Sequence, residues 1–313
     1  MIICGSYSSH NKSGVDKYMI DNLTIELVAK KLGKRAAKII VPMAESMLEA
    51  LKTKPALAYL EVHLVDHCNL NCKGCDHLCP IADKWFADPN VYARDLKQLR
   101  KLFSEIHTIC LLGGEPLLHP KIVRFLFSTR SCFPKAKIQI MTNGILLDSM
   151  PDSFWNGCKE TSTEIIFDVY PPLYQKEKYL VNLARAKGVR MISRRLSSFQ
   201  TFINLKGDSD PNVSFQKCDF RVTHQLQEGK LFTCIMPMVV HYFNKRYGTH
   251  LPSAGWVDIY APNLTGWDAK KMLSRAFSTC RYCSPSLEQR ARSTFQWSTS
   301  KLKMSEWDVS TYG

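Results

Sequence analysis

The first 55 residues carry apolar positions at helical spacing. Aliphatic and methionine side chains recur three or four residues apart, which predicts amphipathic helices. The repeating positions are Leu23, Leu27, Val28, Met43, Met47, Leu48 and Leu51. Lys30, Lys34 and Lys38 share one face, which we interpret as a solvated basic surface because no aromatic residues for base stacking are interleaved with it. The pattern predicts an N-terminal helical extension over residues 1–55.

Apolar runs and helical patterns alternate over residues 56–207. The runs predict five strands, at Leu60–Val65, Thr108–Leu112, Lys137–Met141, Glu164–Val169 and Val189–Ile192. The helical patterns lie near Val91–Ile106, Lys121–Cys132 and Tyr174–Lys187, the last closed by Gly188. This alternation predicts an α/β fold with a parallel sheet, open or rolled into a barrel. In such folds ligands bind at the carboxyl ends of the strands.

The alternation ends at about residue 208. Glycine, proline, asparagine and aromatic residues dominate residues 208–295, with little periodicity and with four cysteines among them. We expect a second, loop-rich module held together by a metal group over this range, followed by a C-terminal tail at residues 296–313.

Composition narrows the class of protein. Of the 313 residues, 45% are hydrophobic and 22% charged, as in ordinary folded proteins and unlike disordered chains. No apolar run approaches the roughly 18 residues of a membrane span, and the start does not resemble a signal peptide, so we expect a cytoplasmic protein. The 12 cysteines then favour metal ligation over disulfides. The net charge of +14 favours an anionic small molecule, RNA or an acidic protein as partner, and nothing in the sequence indicates DNA.

Three cysteines follow the first predicted strand in a C-x3-C-x2-C spacing. Cys68, Cys72 and Cys75 can surround a metal group if the backbone loops around it, and Gly74 eases that loop. A zinc ion would need a fourth ligand, for which His67 or His77 is available. An iron–sulfur cluster held by three cysteines would keep one iron open to a small molecule. The spacing alone leaves both alternatives open.

Ligand-binding residue types also follow the next strands. Two glycines allow close backbone approach by a ligand, a glutamate suits an ammonium group, and an aspartate can bind a ribose diol. The candidates are Gly113, Gly114 and Glu115 after the second strand, Thr142 and Asn143 after the third, Asp168 after the fourth, and Arg194 after the fifth. Arg194 suits a phosphate or a carboxylate.

A second set of four cysteines lies in the loop-rich region. Cys218 and Cys234 are followed by Cys280 and Cys283 in a C-x2-C pair. Such pairs are typical of zinc ribbons and of iron–sulfur sites, and four thiolates would fill the ligand set of either group. No other cysteine spacing of this kind occurs, and Cys110 is interpreted as a core residue.

The combined motifs resemble those of the radical S-adenosylmethionine (radical SAM) superfamily over residues 58–205. The resemblance implies a partial (β/α)6 barrel in which Cys68, Cys72 and Cys75 hold a 4Fe-4S cluster that binds SAM. It further implies that the amine of SAM meets Gly113, Gly114 and Glu115, and that its ribose meets Asp168. One departure is Gly74, since relatives often carry an aromatic residue there, so we expect His77 or Leu78 to contact the adenine.

The second cysteine set resembles the Twitch module, a short form of the SPASM extension. This implies an auxiliary 4Fe-4S cluster on all four cysteines, and thus two clusters per chain. The spacing is similar to that of aminocyclitol dehydrogenases, so we expect oxidation of a carbinol carbon in a sugar-like substrate that is nucleotide-linked, phosphorylated or an aminocyclitol. Reduced flavodoxin or ferredoxin would supply electrons. The alternatives are a sugar epimerase using Cys79, a peptide-modifying enzyme, and a non-catalytic zinc or iron–sulfur protein.

Overall fold

The computed structural model describes residues 40–47, 51, 53–284 and 294–309. Most of the predicted N-terminal extension, including its basic face, lies outside these residues. Residues 40–47 are helical, as the pattern predicts.

Five parallel strands form one side of the main sheet. Each pairs with the strand that follows it in the chain, in the order β5-β4-β3-β2-β1. Their bounds are β1, Leu57–Val65; β2, Ile106–Gly113; β3, Lys137–Thr142; β4, Glu164–Val169; and β5, Met191–Arg195. All five lie within a few residues of the predicted runs, because buried parallel strands are continuous apolar segments.

Helices connect these strands and cover one face of the sheet. They are α1, Pro89–Leu102; α2, Ile122–Cys132; α3, Asp152–Glu160; and α4, Glu177–Ala186. Their buried residues form one hydrophobic core with the strands. The sequence pattern missed α3, which has only nine residues and contains Gly157, a poor helix former. Gly188 ends the segment after α4 with a φ of 71°, as predicted for a C-cap.

The sheet continues beyond β1 with strands from the region that we expected to be a separate module. β7, His224–Gln227, runs parallel to β1, and β8, Lys230–Phe232, and β9, Trp256–Asp258, follow as antiparallel neighbours. Glu228 and Gly229 both have positive φ, the conformation of a tight type I′ hairpin turn between β7 and β8. The α/β class with a partial barrel is confirmed, but the sixth parallel strand lies beside β1 instead of β5.

The expectation of a loop-rich region was also wrong at three helices. They are α5, Pro211–Gln216; α6, Ile235–Tyr247; and α7, Gly266–Leu273. Eight of the residues of α6 are buried, so its apolar positions lack a one-sided stripe and give no periodic signal. Pro237 lies in its first turn, where proline is tolerated. This helix is the centre of a second hydrophobic core that includes Leu78, Ile203 and Trp307.

Residues 294–309 are part of the folded protein and not a tail. β10, Thr294–Gln296, pairs antiparallel with β6, Ser198–Gln200. Farther along, Trp307 is only 2% exposed and packs against Phe243 and Tyr247. None of the helices in the described part of the chain combines the length and the apolar character needed to cross a bilayer.

Candidate active site

The carboxyl ends of the parallel strands surround a cavity of about 260 Å³. The structure brings to it nearly all of the predicted site residues that precede residue 200. They are Cys68, Cys72, Cys75, Cys79, Gly113, Gly114, Thr142, Asn143, Asp168 and Arg194. Glu115 is the exception. The position agrees with the rule that open α/β sheets bind ligands at this edge.

Gly113 and Gly114 let the cysteine loop pass directly over the end of β2. Gly114 N donates to Val65 O at 2.6 Å, and Glu115 N donates to His67 O at 3.1 Å. A Cβ atom on Gly114 would lie 1.9 Å from His67 O, and one on Gly113 would lie 2.1 Å from Val65 O. Only glycine can occupy either position, because the neighbouring atoms belong to the backbone and cannot turn aside.

The Glu115 side chain has a different place from the one expected. It is fully buried, and its carboxylate accepts hydrogen bonds from Leu117 N at 3.0 Å, Thr142 Oγ1 at 2.7 Å and Asn143 N at 2.9 Å. Burial raises the pKa of Glu115 to about 7. The residue therefore fastens the end of β2 to the end of β3, and contact with an amine of SAM remains a prediction for the two glycines.

Two sulfur atoms of the first cysteine set, those of Cys68 and Cys72, accept hydrogen bonds from N–H donors. Leu70 N donates to Cys68 Sγ at 3.3 Å, and Trp297 Nε1 donates to Cys72 Sγ at 3.1 Å. Burial raises the pKa of both thiols to about 12, so a thiolate here needs a positive partner. Three cysteines on one cavity with N–H groups aimed at sulfur fit an iron–sulfur cluster, whose thiolate ligands accept such bonds.

Cys79 lies beside the predicted ligands. Its side chain is 8% exposed and lines the cavity, and a hydrogen bond with Cys75 together with burial raises its pKa well above the ordinary value. As they stand, no three His, Cys, Asp or Glu side chains in the described ranges are placed to hold a single metal ion.

Asp168 and Arg194 form an ion pair at the cavity wall. Asp168 Oδ1 accepts from Arg194 Nε at 2.8 Å and from Arg194 Nη2 at 2.5 Å. Burial raises the pKa of Asp168 to about 6, and the guanidinium group limits that rise. The strands β4 and β5 place these residues directly opposite each other, which is why two separate strand-end candidates form one unit.

A buried polar network that sequence analysis missed reaches the cavity at His77. His63 Nδ1 bonds to Asp66 Oδ1 at 2.9 Å, and His63 Nε2 bonds to His77 Nδ1 at 2.8 Å. Tyr242 from α6 donates to Asp66 Oδ2 at 2.7 Å. Burial alone would raise the pKa of Asp66, but the bonds from His63 and Tyr242 hold it below its usual value. Glu61 also lines the cavity. The sequence signal for these residues was the alternation of polar side chains, Glu61 and His63, within an otherwise apolar strand.

Of the two predicted adenine contacts, the structure places only one in the cavity. His77 lines it and stacks on His63 with ring centroids 4.8 Å apart, whereas Leu78 is fully buried in the second core. An aromatic ring does lie over Gly74, but it comes from a distant segment: a Cβ on Gly74 would be 2.7 Å from Phe295 Cζ.

The second cysteine set also meets at one place. Cys218, Cys234, Cys280 and Cys283 line a small cavity of about 20 Å³. Burial and the neighbouring Cys218 and Cys283 raise the pKa of Cys234 well above its usual value. Cys218 follows α5, Cys234 immediately precedes α6, and Cys280 and Cys283 lie in and directly after the 3-10 turn Ser278–Tyr282, so the fold gathers thiols that are up to 65 residues apart.

Gly114→Ala is predicted to abolish cluster binding at the first site. The added methyl group would collide with His67 O, so the cysteine loop must leave the end of β2. Iron bound per chain after anaerobic reconstitution is the measurement. Gly248→Ala is the control, because a Cβ there meets no atom within 4 Å and costs only about 1 kcal/mol for its positive φ. Equal iron content in both variants would contradict the prediction.

The raised pKa of Asp168 predicts that SAM binding depends on pH. A carboxyl group with a pKa of about 6 is ionised above that pH and loses its charge as the pH falls through it. If its carboxylate accepts from the ribose, the Kd for SAM rises about three- to tenfold between about pH 7.5 and pH 5.5. Asp168→Asn should bind more weakly at pH 7.5 and show a flat profile. Parallel profiles for both proteins would show that Asp168 does not contact SAM.

Comparisons with solved structures give modest likenesses. The structure of BtrN in complex with AdoMet and 2-DOIA is 18% identical, with a TM-score of 0.47, and the match covers 75% of this chain and 97% of that one. Streptococcus suis SuiB bound to precursor peptide SuiA is 14% identical, with a TM-score of 0.39, covering 90% of this chain and 79% of that one.

Curated relatives match a limited part of the chain. GTP 3',8-cyclase of Microcystis aeruginosa is 30% identical over 104 residues, which is 32% of this chain and 31% of that protein. GTP 3',8-cyclase of Clostridium acetobutylicum is 35% identical over 95 residues, 29% of each chain. The chain thus spans less than a third of the length of these relatives.

A family model accounts for the core of the sheet. Residues 62–192 match the model of the radical SAM superfamily. This range begins in β1 and ends in β5, and it contains the cysteine loop, the glycine pair and Asp168. The sequence motif, the strand-end cavity and the family model agree on the same segment, so residues 62–192 form a domain of the radical SAM type.

Proposed function

We propose that the protein is a radical SAM oxidoreductase that removes hydrogen from a carbinol carbon of a sugar-like substrate and oxidises it to a ketone. The observation that carries the proposal is the presence of two gathered cysteine sets, one at the strand-end cavity and one at a second, smaller cavity. The superfamily implies a 4Fe-4S cluster and SAM at the first set. Electron transfer to a second, fully ligated group suits a net oxidation.

Cys68, Cys72 and Cys75 would hold the first cluster. When reduced, that cluster supplies the electron that cleaves SAM to methionine and a 5'-deoxyadenosyl radical. Gly113 and Gly114 bring backbone groups close to the ligand, and the Asp168 carboxylate provides an acceptor for hydroxyl groups. The apolar side chains of Leu112, Met141 and Phe199 line the same cavity and exclude water, which protects a reactive carbon radical from competing hydrogen donors.

Oxidation of a secondary alcohol removes a hydrogen atom from carbon, a proton from the hydroxyl group and one further electron. A cluster held by Cys218, Cys234, Cys280 and Cys283 would supply an acceptor for that electron. Because four cysteines fill its ligand positions, it would offer no open iron to the substrate. The apolar lining from Phe215 and Phe277 supports this separation from solvent.

The charges at the cavity favour an amine-bearing or neutral substrate over a phosphorylated or nucleotide-linked one. Four carboxylates line it, on Glu61, Asp76, Asp168 and Asp219. Among the described lining residues Arg194 is the one lysine or arginine, and Asp168 already binds it. A phosphate would therefore bring negative charge beside acidic groups, whereas an aminocyclitol or amino sugar would bring a complementary ammonium group.

In this proposal the net positive charge of the chain acts on the electron donor and not on the substrate. Reduced flavodoxin or ferredoxin is the proposed electron donor, and both are acidic proteins. The net charge of +14 would speed their encounter with the chain through long-range attraction.

An epimerase is the second candidate, favoured by one observation. The thiol of Cys79 lines the cavity next to the first cysteine set, so it is placed to return a hydrogen atom to a substrate radical. Such a reaction leaves the oxidation state of the substrate unchanged and needs no second electron acceptor.

Metal analysis tests the foundation of the proposal. Protein reconstituted without oxygen should contain two 4Fe-4S clusters, or about eight irons per chain. Replacing Cys68, Cys72 and Cys75 with Ala should leave about four irons and abolish SAM cleavage, since only the second site remains. Stoichiometric zinc without sulfide in protein purified anaerobically would overturn the radical SAM chemistry of this chain and favour a structural metal site.

Product analysis tests the reaction. Incubation with SAM, reductant and a panel of substrates should give 5'-deoxyadenosine together with a carbonyl product two mass units lighter than an amine-bearing polyol. The panel includes an N-acetylated amine, a sugar phosphate, a nucleotide sugar and GTP. Conversion of GTP, or of the phosphorylated sugars in preference to the amine, would contradict the proposed substrate class.

The two reaction types separate in variants and in D2O. Cys280→Ala with Cys283→Ala should abolish the ketone even if SAM cleavage survives, while Cys79→Ala should leave ketone formation intact. Deuterium at the substrate carbon without a carbonyl product, lost in Cys79→Ala, would reverse the choice and establish the epimerase.

A further inference from the structure

Residues 294–309 contact the cysteine loop of the first site. Trp297 Nε1 donates to Cys72 Sγ at 3.1 Å. Around this bond the two backbones are joined: Lys73 N donates to Ser298 O at 2.9 Å, and Ser300 N donates to Asn71 O at 2.7 Å. Sequence separation between Trp297 and Cys72 is 225 residues, so the contact is a product of the fold and not of local chain geometry.

Contacts of both its backbone and its ring position Trp297. The backbone N of Trp297 donates to Ser197 O at 2.8 Å. The ring lies 6.3 Å from that of Tyr170, which in turn stacks on Phe199 at 5.8 Å. Beyond it, Trp307 Nε1 donates to Cys75 O at 3.0 Å and anchors the segment in the second core. The N–H group is therefore directed at sulfur by surrounding packing.

A hydrogen bond to a cluster thiolate changes the reduction potential. The reduced cluster carries one more negative charge than the oxidised cluster, and an N–H donor stabilises the more negative form more strongly. Removing the donor therefore lowers the potential. A packing contact of equal size but without the N–H group has no such preference.

We propose that Trp297 is a positioning residue that acts through Cys72 to raise the reduction potential of the cluster at the first site. The proposal rests on the radical SAM assignment of residues 62–192 and on no choice of substrate. Among the donors to the predicted ligand sulfurs, Leu70 N belongs to the backbone and Asn143 Nδ2 lies farther away, at 3.5 Å from Cys68 Sγ. The indole of Trp297 is closer and can be altered without changing the cysteine loop itself.

The test compares Trp297→Phe with Trp297→His in the full chain. Phenylalanine keeps an aromatic ring and loses the N–H group, whereas histidine keeps a ring donor. Trp267→Phe is the matched control, because it removes an indole bond to a carbonyl oxygen, that of Thr53, at the end of β1 opposite the site. Iron per chain is measured first. The midpoint potential then follows from an EPR redox titration of the signal that changes when SAM is added.

We expect Trp297→Phe to retain iron and to lower the reduced-to-oxidised ratio about three- to tenfold at the wild-type midpoint, where tenfold corresponds to 59 mV for one electron. Trp267→Phe should leave the midpoint unchanged, and Trp297→His should return it toward the wild-type value. An unchanged midpoint in Trp297→Phe, or an equal shift in Trp267→Phe, would overturn the proposal.

Loss of iron is informative as well. If Trp297→Phe loses the first cluster, the proposal requires Trp297→His to keep both iron and a wild-type midpoint. Loss of iron in both variants would assign Trp297 to packing alone. Absence of iron from the wild-type protein would instead overturn the proposed function, so the two failures are distinguishable.

Discussion

The geometry of the candidate site depends on the close approach of two backbone segments, the cysteine loop and the end of β2. The cysteine loop crosses the end of β2 so closely that a single methyl group on Gly114 would overlap His67 O. Hydrogen bonds from Gly114 N and Glu115 N fix the loop there, and the carboxylate of Glu115 extends the constraint to Thr142 and Asn143 at the end of β3. The cysteine loop, the strand ends and the cavity are thereby held in one fixed arrangement.

Sequence reasoning succeeded where the signal is local. A strand followed by three cysteines, and strands that end in polar residues, identify one edge of a parallel sheet because the topology brings all carboxyl ends together. Sequence reasoning failed where burial or contacts between distant segments determine the structure. Helix α6 is apolar on most sides and shows no period, while the direction of the Glu115 side chain depends on donors from β3. No sequence pattern predicts that β7 pairs with β1 or that Trp297 contacts Cys72.

The distribution of charge separates the surface from the interior of the site. The chain as a whole carries a formal charge of +14, yet carboxylates outnumber the basic side chains that line the cavity. The net charge of the chain and the charge of the cavity therefore act on different partners. The net charge acts on a protein that approaches to within the screening length of about 8–10 Å, and the cavity charge acts on a molecule that has already entered. The amino-acid composition gives the net charge of the chain but not the charge of the cavity.

The position of residues 294–309 has a consequence for biosynthesis. Because Trp297 follows Cys72 by 225 residues, the ribosome completes the three-cysteine motif long before it makes the segment that covers it. Throughout that interval the Cys72 thiol lacks the indole that donates to it in the folded chain. The backbone bonds that join Lys73 to Ser298 and Ser300 to Asn71 form only after the segment is made. In this chain the order of synthesis thus separates a stage at which the cysteine motif is complete from a later stage at which residues 294–309 pack on it.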